Sequence, residues 1–303
     1  MDTIDLAIIK MLMMNARIPL SSISDRINLS INAVKKRITK MENKGVIQGY
    51  TCELGYGVLG EETGIAKIAI SGSVENTNNL ADTIGKHEMI FLVSTGIGNS
   101  MIAVFYYRGS SEVIRLESWL KSLSQVKDVE IYLLISPPAK TGFTIAPVDY
   151  KIISIMKSDA RMTLKQLALK TKVSTRTLKK RLDRMLSQEL VQFLPKLSPG
   201  SSEELNLFVE FCTIGPKADK IEIFQAVMSF FPESWVGWIV VGKPMIIVGF
   251  FAPGLKHVNR IEEELKKTYP IVATECIIGG DAFYYDSWRD KYVEEMARKL
   301  MVS

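Results

Sequence analysis

The sequence predicts an α+β fold in which two winged helix-turn-helix domains and two ferredoxin-like βαββαβ domains form a tandem repeat. Three observations carry this prediction. A short cationic helix pattern at residues 30–43 returns at 174–187. Eleven identities at one fixed offset, from Asp5 and Asp149 to Met41 and Met185, join the two copies without a gap. Strand and helix patterns in the order β-α-β-β-α-β follow each copy, as in a ferredoxin-like sandwich.

Length and charge set the class of protein. The 303 residues are 47% apolar, which suffices for several compact cores. The net charge is +5, and its distribution is uneven. Residues 1–50 carry eight Lys and Arg against four Asp and Glu, and residues 149–197 carry twelve against four. The positive excess therefore lies in the two helical segments, where neutralisation of nucleic-acid phosphates would need it.

Several classes of site and location are disfavoured. Cys52, Cys212 and Cys276 are widely spaced and form no CxxC pair, so we expect reduced packing residues, no metal site and no cofactor. Neither a phosphate loop nor a dinucleotide glycine fingerprint appears. No cationic signal sequence opens the chain, and glycines, a lysine and a proline interrupt its most apolar segment, 235–252. The sequence thus predicts a cytoplasmic protein that does not contact membranes.

Helical patterns define the first winged domain, residues 1–50. Helices are predicted at 2–14, 19–27 and 30–43, with Ser30 as the N-cap of the third. The glycine-containing run 44–50 is β-prone and is interpreted as a wing.

The second winged domain is predicted at residues 148–197, after a Pro- and Gly-rich linker at 137–147. Its second and third helices are expected at 163–171 and 174–187, separated by a two-residue turn. A helix, a tight turn and an N-capped basic helix form the helix-turn-helix arrangement, whose second helix enters the major groove of DNA.

Each basic helix has one apolar and one polar side. In the first copy Val34, Ile38 and Met41 share the core-facing side. A solvated surface helix is the alternative interpretation, but the preceding helix and turn favour DNA contact through Lys, Arg and Asn side chains. The predicted DNA-binding residues are Asn32, Lys35, Lys36, Lys40 and Asn43 in the first copy, and Arg176, Lys179, Lys180 and Arg184 in the second.

Two ferredoxin-like domains are predicted at residues 64–136 and 205–280. In the first, strands at 64–73, 89–97, 100–107 and 126–135 surround helices at 76–86 and 110–123. In the second, strands at 205–214, 234–241, 245–251 and 271–278 surround helices at 218–231 and 255–268. A final amphipathic helix is expected within 283–303. We expect the two α/β domains to pack sheet against sheet.

The first fifty residues carry a family signature. It consists of Asp5-x-x-Ile8-Ile9-x-x-Leu12-x-x-Asn15-Ala16-Arg17, Leu29-Ser30, Ala33-Val34-x-x-Arg37-Ile38 and Gly45-Val46-Ile47-x-Gly49-Tyr50. This run resembles the Lrp/AsnC, or feast/famine, family of prokaryotic transcription regulators. In the second half Glu189 replaces the glycine, so that copy is more divergent. The resemblance implies binding to double-stranded DNA, pairing through the α/β domain and a homo-oligomer. Because the predicted groove residues of the two copies differ, an asymmetric operator is expected.

The resemblance also implies a candidate effector site. Family members carry a Gly followed closely by an Asp in the hairpin between the second and third strands, and amino acids bind nearby. The matching residues are Gly96, Gly98 and Asn99, with Gly242 in the second copy, and the acidic residue is missing from both. The resemblance implies a small-molecule effector such as an amino acid, and the alternative is a purely structural turn.

Two other functions stay open at this point. Siroheme decarboxylases share the two-domain plan, but His87 and His257 occupy non-equivalent places, and we expect no enzymatic activity. Alternatively, the second half has lost DNA binding and serves only assembly through its many aromatic residues. The cationic residues of the second basic helix argue against such a loss.

Overall fold

The computed structural model describes residues 1–71, 74–136, 141–198, 200, 206–252 and 254–299. The first winged unit consists of α1 (Thr3–Met14), α2 (Leu20–Ile27), α3 (Ile31–Asn43) and β1 (Ile47–Leu54). Asp2 caps α1: its carboxylate accepts from the Asp5 backbone N–H at 3.0 Å, and the Asp5 carboxylate accepts from the Asp2 backbone N–H at 3.2 Å. The apolar side of α1, which includes Ile8, Ile9 and Leu12, is fully buried. The three predicted helices are therefore present with their apolar sides inward.

The second winged unit repeats the first. It consists of α6 (Pro147–Met156), α7 (Leu164–Thr171), α8 (Thr175–Ser187) and β6 (Val191–Leu197). Thr163 caps α7, with its hydroxyl accepting from the Gln166 backbone N–H at 3.2 Å. Of the predicted linker, residues 137–140 lie outside the described part of the chain. Helix α6 already begins at Pro147, because proline suits the first helical position.

Strands β1 and β6 pair with each other, so the two winged units share a two-stranded antiparallel sheet. Cys52 lies opposite Phe193, and Leu54 lies opposite Val191. The β-prone run predicted at 44–50 does form a strand from Ile47, but the predicted end at residue 50 is too early. The strand continues to Leu54, because alternate side chains from Tyr50 onward are buried in a core common to both units.

The two α/β units have the same strand order. The first comprises β2 (Glu62–Ile70), α4 (Val74–Gly85), β3 (Ile90–Gly96), β4 (Ser100–Tyr107), α5 (Ser110–Ser122) and β5 (Val126–Leu133). The second comprises β7 (Asn206–Ile214), α9 (Lys220–Phe230), β8 (Ser234–Ile239), β9 (Met245–Ala252), α10 (Leu255–Thr268) and β10 (Ile271–Tyr284). The orders β5-β2-β4-β3 and β10-β7-β9-β8 correspond strand for strand. The predicted tandem ferredoxin-like fold is confirmed.

The long strand β10 joins the two α/β units. It pairs with β7 over residues 271–278 and with β3 from Gly279 to Tyr284, which produces one eight-stranded sheet. The predicted end of the second ferredoxin-like domain at residue 280 and the predicted start of the C-terminal segment at residue 283 both fall inside this strand. The sequence misses the extension because nothing in it indicates a pairing partner for residues beyond 278. The two edge strands of this sheet, β5 and β8, also approach each other. The Ile135 backbone N–H donates to the Ile239 carbonyl at 2.8 Å, next to a bridge between Leu134 and Val240.

The inner faces of the two half-sheets pack against each other, as the sequence predicts. One apolar cluster draws on both repeats and contains no helix residue among its buried members. Its buried members are Ile65, Ile102, Val104, Tyr132, Leu134, Val209, Phe211, Val240, Ile247 and Ile277. The helices cover the outer faces, where two further cores form, one for each unit.

Helix α11 (Trp288–Arg298) lies against the winged units. Val293 and Ala297 enter their common core. The Arg289 guanidinium is buried, donates to the carbonyls of Leu54 and Gly55 at 2.8 Å, and pairs with Glu61 at 3.0 Å. This helix thus fastens the winged units to the α/β body. No helix in the described part of the chain is long and apolar enough to cross a bilayer.

Candidate nucleic-acid interface

Helices α3 and α8 each direct one side into the core. In α3 the side chains of Val34, Ile38 and Met41 are buried, and in α8 those of Leu178, Leu182 and Met185 are buried. These are the residues that the helical spacing predicts. The orientation of both helices is therefore fixed by apolar burial, which leaves the polar sides outward.

Caps and turns fix where the two helices begin. The Ser30 hydroxyl accepts from the Ala33 backbone N–H at 3.1 Å, and the Ser174 hydroxyl accepts from the Thr177 backbone N–H at 3.2 Å. Each preceding helix ends at a left-handed residue, Asn28 with φ 52° and Lys172 with φ 62°. The same cap and turn occur in both copies, so both helix-turn-helix units have the same local geometry.

The polar side of α3 is cationic and exposed. Among the described residues, none of its three predicted lysine contacts forms an ion pair. The exposed side chains are Asn32, Lys35, Lys36, Thr39, Lys40 and Asn43. Arg37, in contrast, turns inward and pairs with Asp2 and Asp5, both at 2.8 Å. Its role is to hold α3 against α1.

The polar side of α8 carries Arg176, Lys179 and Lys180 as exposed cations, together with an exposed Asp183. Arg184, which the sequence predicts to face outward, is 39% exposed and ion-paired, so its contact with DNA stays a prediction. Its guanidinium pairs at 2.6 Å with the Asp149 carboxylate, which is fully buried. Arg181 pairs with the same carboxylate at 3.0 Å.

Two differences between the copies accompany the Arg184–Asp149 ion pair, namely Arg184 in place of Lys40 and Ala146 in place of Asp2. In the first copy two carboxylates, Asp2 and Asp5, share one arginine. In the second copy residue 146 is an alanine, and the single Asp149 carboxylate accepts from both Arg181 and Arg184. Each helix presents three exposed cations and one exposed carboxylate, Glu42 on α3 and Asp183 on α8.

Two arginines that the sequence interpretation did not assign to the site fix the relation of the two winged units. Arg17 donates to the carbonyls of Ala160 and Met162 at 2.5 and 2.9 Å and lies over the Phe193 ring. Its repeat equivalent, Arg161, lies over Tyr50 and donates to its hydroxyl at 3.2 Å. Arginine occupies this position in both repeats, which is the sequence signal for these two residues. Their contacts with the opposite winged unit cannot be predicted from the sequence, because they depend on the fold.

The hairpin glycines have conformational roles. Gly98, Asn99 and Gly242 have φ of 87°, 61° and 70°, a left-handed region that favours glycine and asparagine. A Cβ at Gly96 would lie 2.9 Å from the Ile277 side chain, at the place where β3 meets β10. These contacts account for the glycines as turn and packing residues. Effector binding at Gly96, Gly98, Asn99 and Gly242 stays a prediction.

The two histidines lie apart in the fold. His87 is half-buried against the Trp119 ring at 4.6 Å, and its Nδ1 accepts from the Met89 backbone N–H at 3.2 Å. Burial lowers the pKa of His87. His257 is exposed on α10. Among the described residues no group of three or more His, Cys, Asp or Glu could hold a metal ion.

Comparison with known proteins agrees with this geometry. A family model described as winged helix-turn-helix DNA-binding matches residues 1–48 and 146–192. An uncharacterized HTH-type transcriptional regulator of Pyrococcus abyssi is 26% identical over 148 residues, which cover 48% of this chain and 99% of that protein. The HTH-type transcriptional regulator LrpA of Pyrococcus horikoshii is 27% identical over 113 residues, 37% of this chain and 79% of that protein. The resemblance that the motifs indicate is confirmed.

The whole chain also has a structural counterpart. The crystal structure of the siroheme decarboxylase NirDL matches with a TM-score of 0.57 over 99% of this chain and 100% of that chain. The sequence identity is 12%, so this likeness concerns the fold alone.

Proposed function

We propose that this chain, a relative of HTH-type transcriptional regulators that include LrpA, binds double-stranded DNA in a sequence-specific manner with two recognition helices. The observation that carries the proposal is the exposed cationic side of α3 and α8, each backed by a buried apolar side. Lys and Arg in such a position reach phosphates and guanine edges, and Asn reaches adenine.

The fixed relation of the winged units supports binding to one duplex. The β1–β6 sheet, Arg17 and Arg161 hold both units in one body, so the two recognition helices cannot move independently. Two half-sites read by such helices lie about one turn of DNA apart, roughly 34 Å. Because the outward side chains of the two helices differ, with Asp183 in α8 where α3 has Thr39, we infer an asymmetric operator.

The salt dependence of duplex binding tests both recognition helices. One variant replaces Lys35, Lys36 and Lys40 with Ala, and a second replaces Arg176, Lys179 and Lys180 with Ala. The plot of log K against log salt has a negative slope. Each variant is expected to reduce the magnitude of that slope by about two to three, since each lost phosphate contact removes roughly 0.9 from it. Replacement of Lys256, Lys266 and Lys267 on α10 with Ala removes the same charge elsewhere and should leave the slope unchanged.

The α8 variant also decides whether the second half serves only assembly. An unchanged slope for that variant, alongside a reduced slope for the α3 variant, would assign DNA contact to the first half alone. Unchanged slopes in both variants would contradict DNA recognition through these helices.

Siroheme decarboxylation is the alternative function that the fold match raises. We propose that the chain is not an enzyme, because among the described residues no group of three or more His, Cys, Asp or Glu could hold a metal ion, and the two histidines lie at non-equivalent positions of the repeats. Incubation of the protein with siroheme under anaerobic conditions should give no loss of carboxylate groups. Turnover of siroheme would overturn this part of the proposal.

Effector control and self-association are proposed on the resemblance only. The fused α/β units already form within one chain the sheet contact that the resemblance assigns to two chains. Sedimentation of the intact protein with and without amino acids would measure whether complete chains associate further.

A further inference from the structure

An apolar cavity of about 80 Å³ lies between the two half-sheets, away from the recognition helices. It is lined by strands of both repeats. Three pairs of lining residues stand at equivalent positions 144 residues apart: Ile65 and Val209, Leu92 and Val236, and Ser94 and Trp238. Because both members of each pair face it, the cavity straddles the pseudo-twofold axis of the chain.

The two sides of the cavity are chemically different. Trp235 and Trp238 form an aromatic wall, whereas the equivalent of Trp238 across the axis is the small Ser94. Two identical chains would place the same residue on both sides. Fusion of the halves in one chain removes that constraint, so a site on the axis can bind one ligand in one orientation.

The residues that line the cavity disfavour charged ligands and bound water. Among the described residues that line the cavity, none has a charged side chain. Its polar side chains include Ser94 and Thr95, and the Thr95 hydroxyl already accepts from the Asp281 backbone N–H at 3.1 Å. A water molecule needs about 10–15 Å³ and two to four polar partners, so there is room for several waters but few partners to hold them. A zwitterion such as an amino acid would leave both of its charges unpaired.

We propose that this cavity binds one small, neutral, apolar molecule per chain, with a single aromatic ring or a branched aliphatic body. Engineered cavities of about 150 Å³ bind benzene, so this cavity of about 80 Å³ admits a single ring only when lining side chains move outward. The Met13 side chain on the lining is flexible enough to yield to it. Met13 belongs to α1 and Leu197 to β6, so an occupied cavity touches elements of both winged units. The site does not depend on DNA binding.

Fluorobenzene is a suitable probe, followed by ¹⁹F NMR and by the fluorescence of Trp235 and Trp238 in the DNA-free protein. We expect saturable binding with one site per chain and a change in tryptophan emission. Ala282 lies opposite Ser94 in the β10–β3 ladder and lines the cavity. Ala282→Leu should fill the space and weaken binding about tenfold or more, a loss of about 1.4 kcal/mol for each factor of ten.

Two further variants keep the test decisive. Ser94→Leu fills the cavity from the opposite strand and replaces Ala282→Leu if the latter fails to fold. Ala69→Leu makes the same kind of change at an exposed position of β2 outside the cavity and should bind like the wild type. Non-saturable binding to the wild type, or equal binding to the wild type and a folded filling variant, would overturn the proposal.

Discussion

Equivalent residues of the two recognition helices do not have equivalent roles. Lys40 of α3 and Arg184 of α8 occupy the same repeat position, 144 residues apart. Lys40 is exposed and unpaired in the described structure, whereas Arg184 pairs with the buried Asp149 carboxylate. A second difference lies at the N-cap of the first helix of each unit, where Asp2 in the first copy has Ala146 as its counterpart. A helical wheel cannot reveal this difference.

The contrast gives a matched pair of variants. Lys40→Ala should lower the salt slope of DNA binding by about one and leave stability nearly unchanged. Arg184→Ala should leave the slope nearly unchanged and lower stability by on the order of 1 kcal/mol, because Arg181 still pairs with Asp149 and Arg184 is partly solvated. Fluorescence anisotropy across a salt series and thermal melts measure both effects. Equal changes in slope would show that Arg184 also reaches DNA.

Glu210 makes stability depend on pH. Its side chain is fully buried on β7, and burial raises the pKa of its carboxyl to about 7. The folded protein thus keeps a proton that the unfolded chain releases at lower pH. This stabilising contribution is fully present below about pH 4.5 and is lost as pH rises to about 7, at roughly 1.4 kcal/mol per pKa unit.

Glu210→Gln should remove this dependence. The variant is expected to gain stability over the wild type at pH 8 and to match it more closely at pH 5, because the amide carries no charge at either pH. Thermal melts of both proteins at the two pH values provide the comparison. A constant difference between pH 5 and pH 8 would contradict a proton held by Glu210.

At the scale of elements, helices and strands follow from local patterns, whereas their partners do not. Ser30 and Ser174 mark the start of α3 and α8, because an N-cap and an apolar spacing lie within one short segment. The pairing of β1 with β6 and of β3 with β10 depends on residues far apart in the chain, and a strand pattern does not identify its neighbour. For the same reason the sequence predicted the exposed lysines of α3 but not the ion pair of Arg184, whose partner lies 35 residues away.

The shared β1–β6 sheet predicts coupling between the winged units. Phe193 of β6 is buried, lies opposite Cys52 and supports Arg17 of the first unit. Phe193→Ala should cost about 3–5 kcal/mol. Hydrogen exchange is expected to show lost protection in α1 and α3 as well as in α6 and α8. Loss confined to α6–α8 would show that the two units unfold independently.

At the scale of the whole molecule, the two halves of the chain together form one eight-stranded sheet. In a separate first half, the β3 edge of that sheet would be unpaired. Without the second half, β3 would lose its partner β10, and the inner residues Ile65, Ile102 and Val104 would lose their cover. An unpaired strand edge beside an apolar face promotes association.

A fragment of residues 1–136 is therefore expected to form dimers or larger species. Light scattering after size-exclusion chromatography measures its mass, with the intact chain as the reference. A stable monomeric fragment would contradict the structural role assigned to the sheet junction.

The most direct measurement is hydroxyl-radical footprinting on a duplex selected from a random pool by the intact protein. If one chain places α3 and α8 on one duplex, two protected segments should lie about one helical turn, roughly 34 Å, apart. Replacement of Arg176, Lys179 and Lys180 with Ala should abolish one segment and leave the other. A single protected segment that this variant leaves unchanged, or no binding to any duplex at low ionic strength, would contradict the two-headed recognition proposed here.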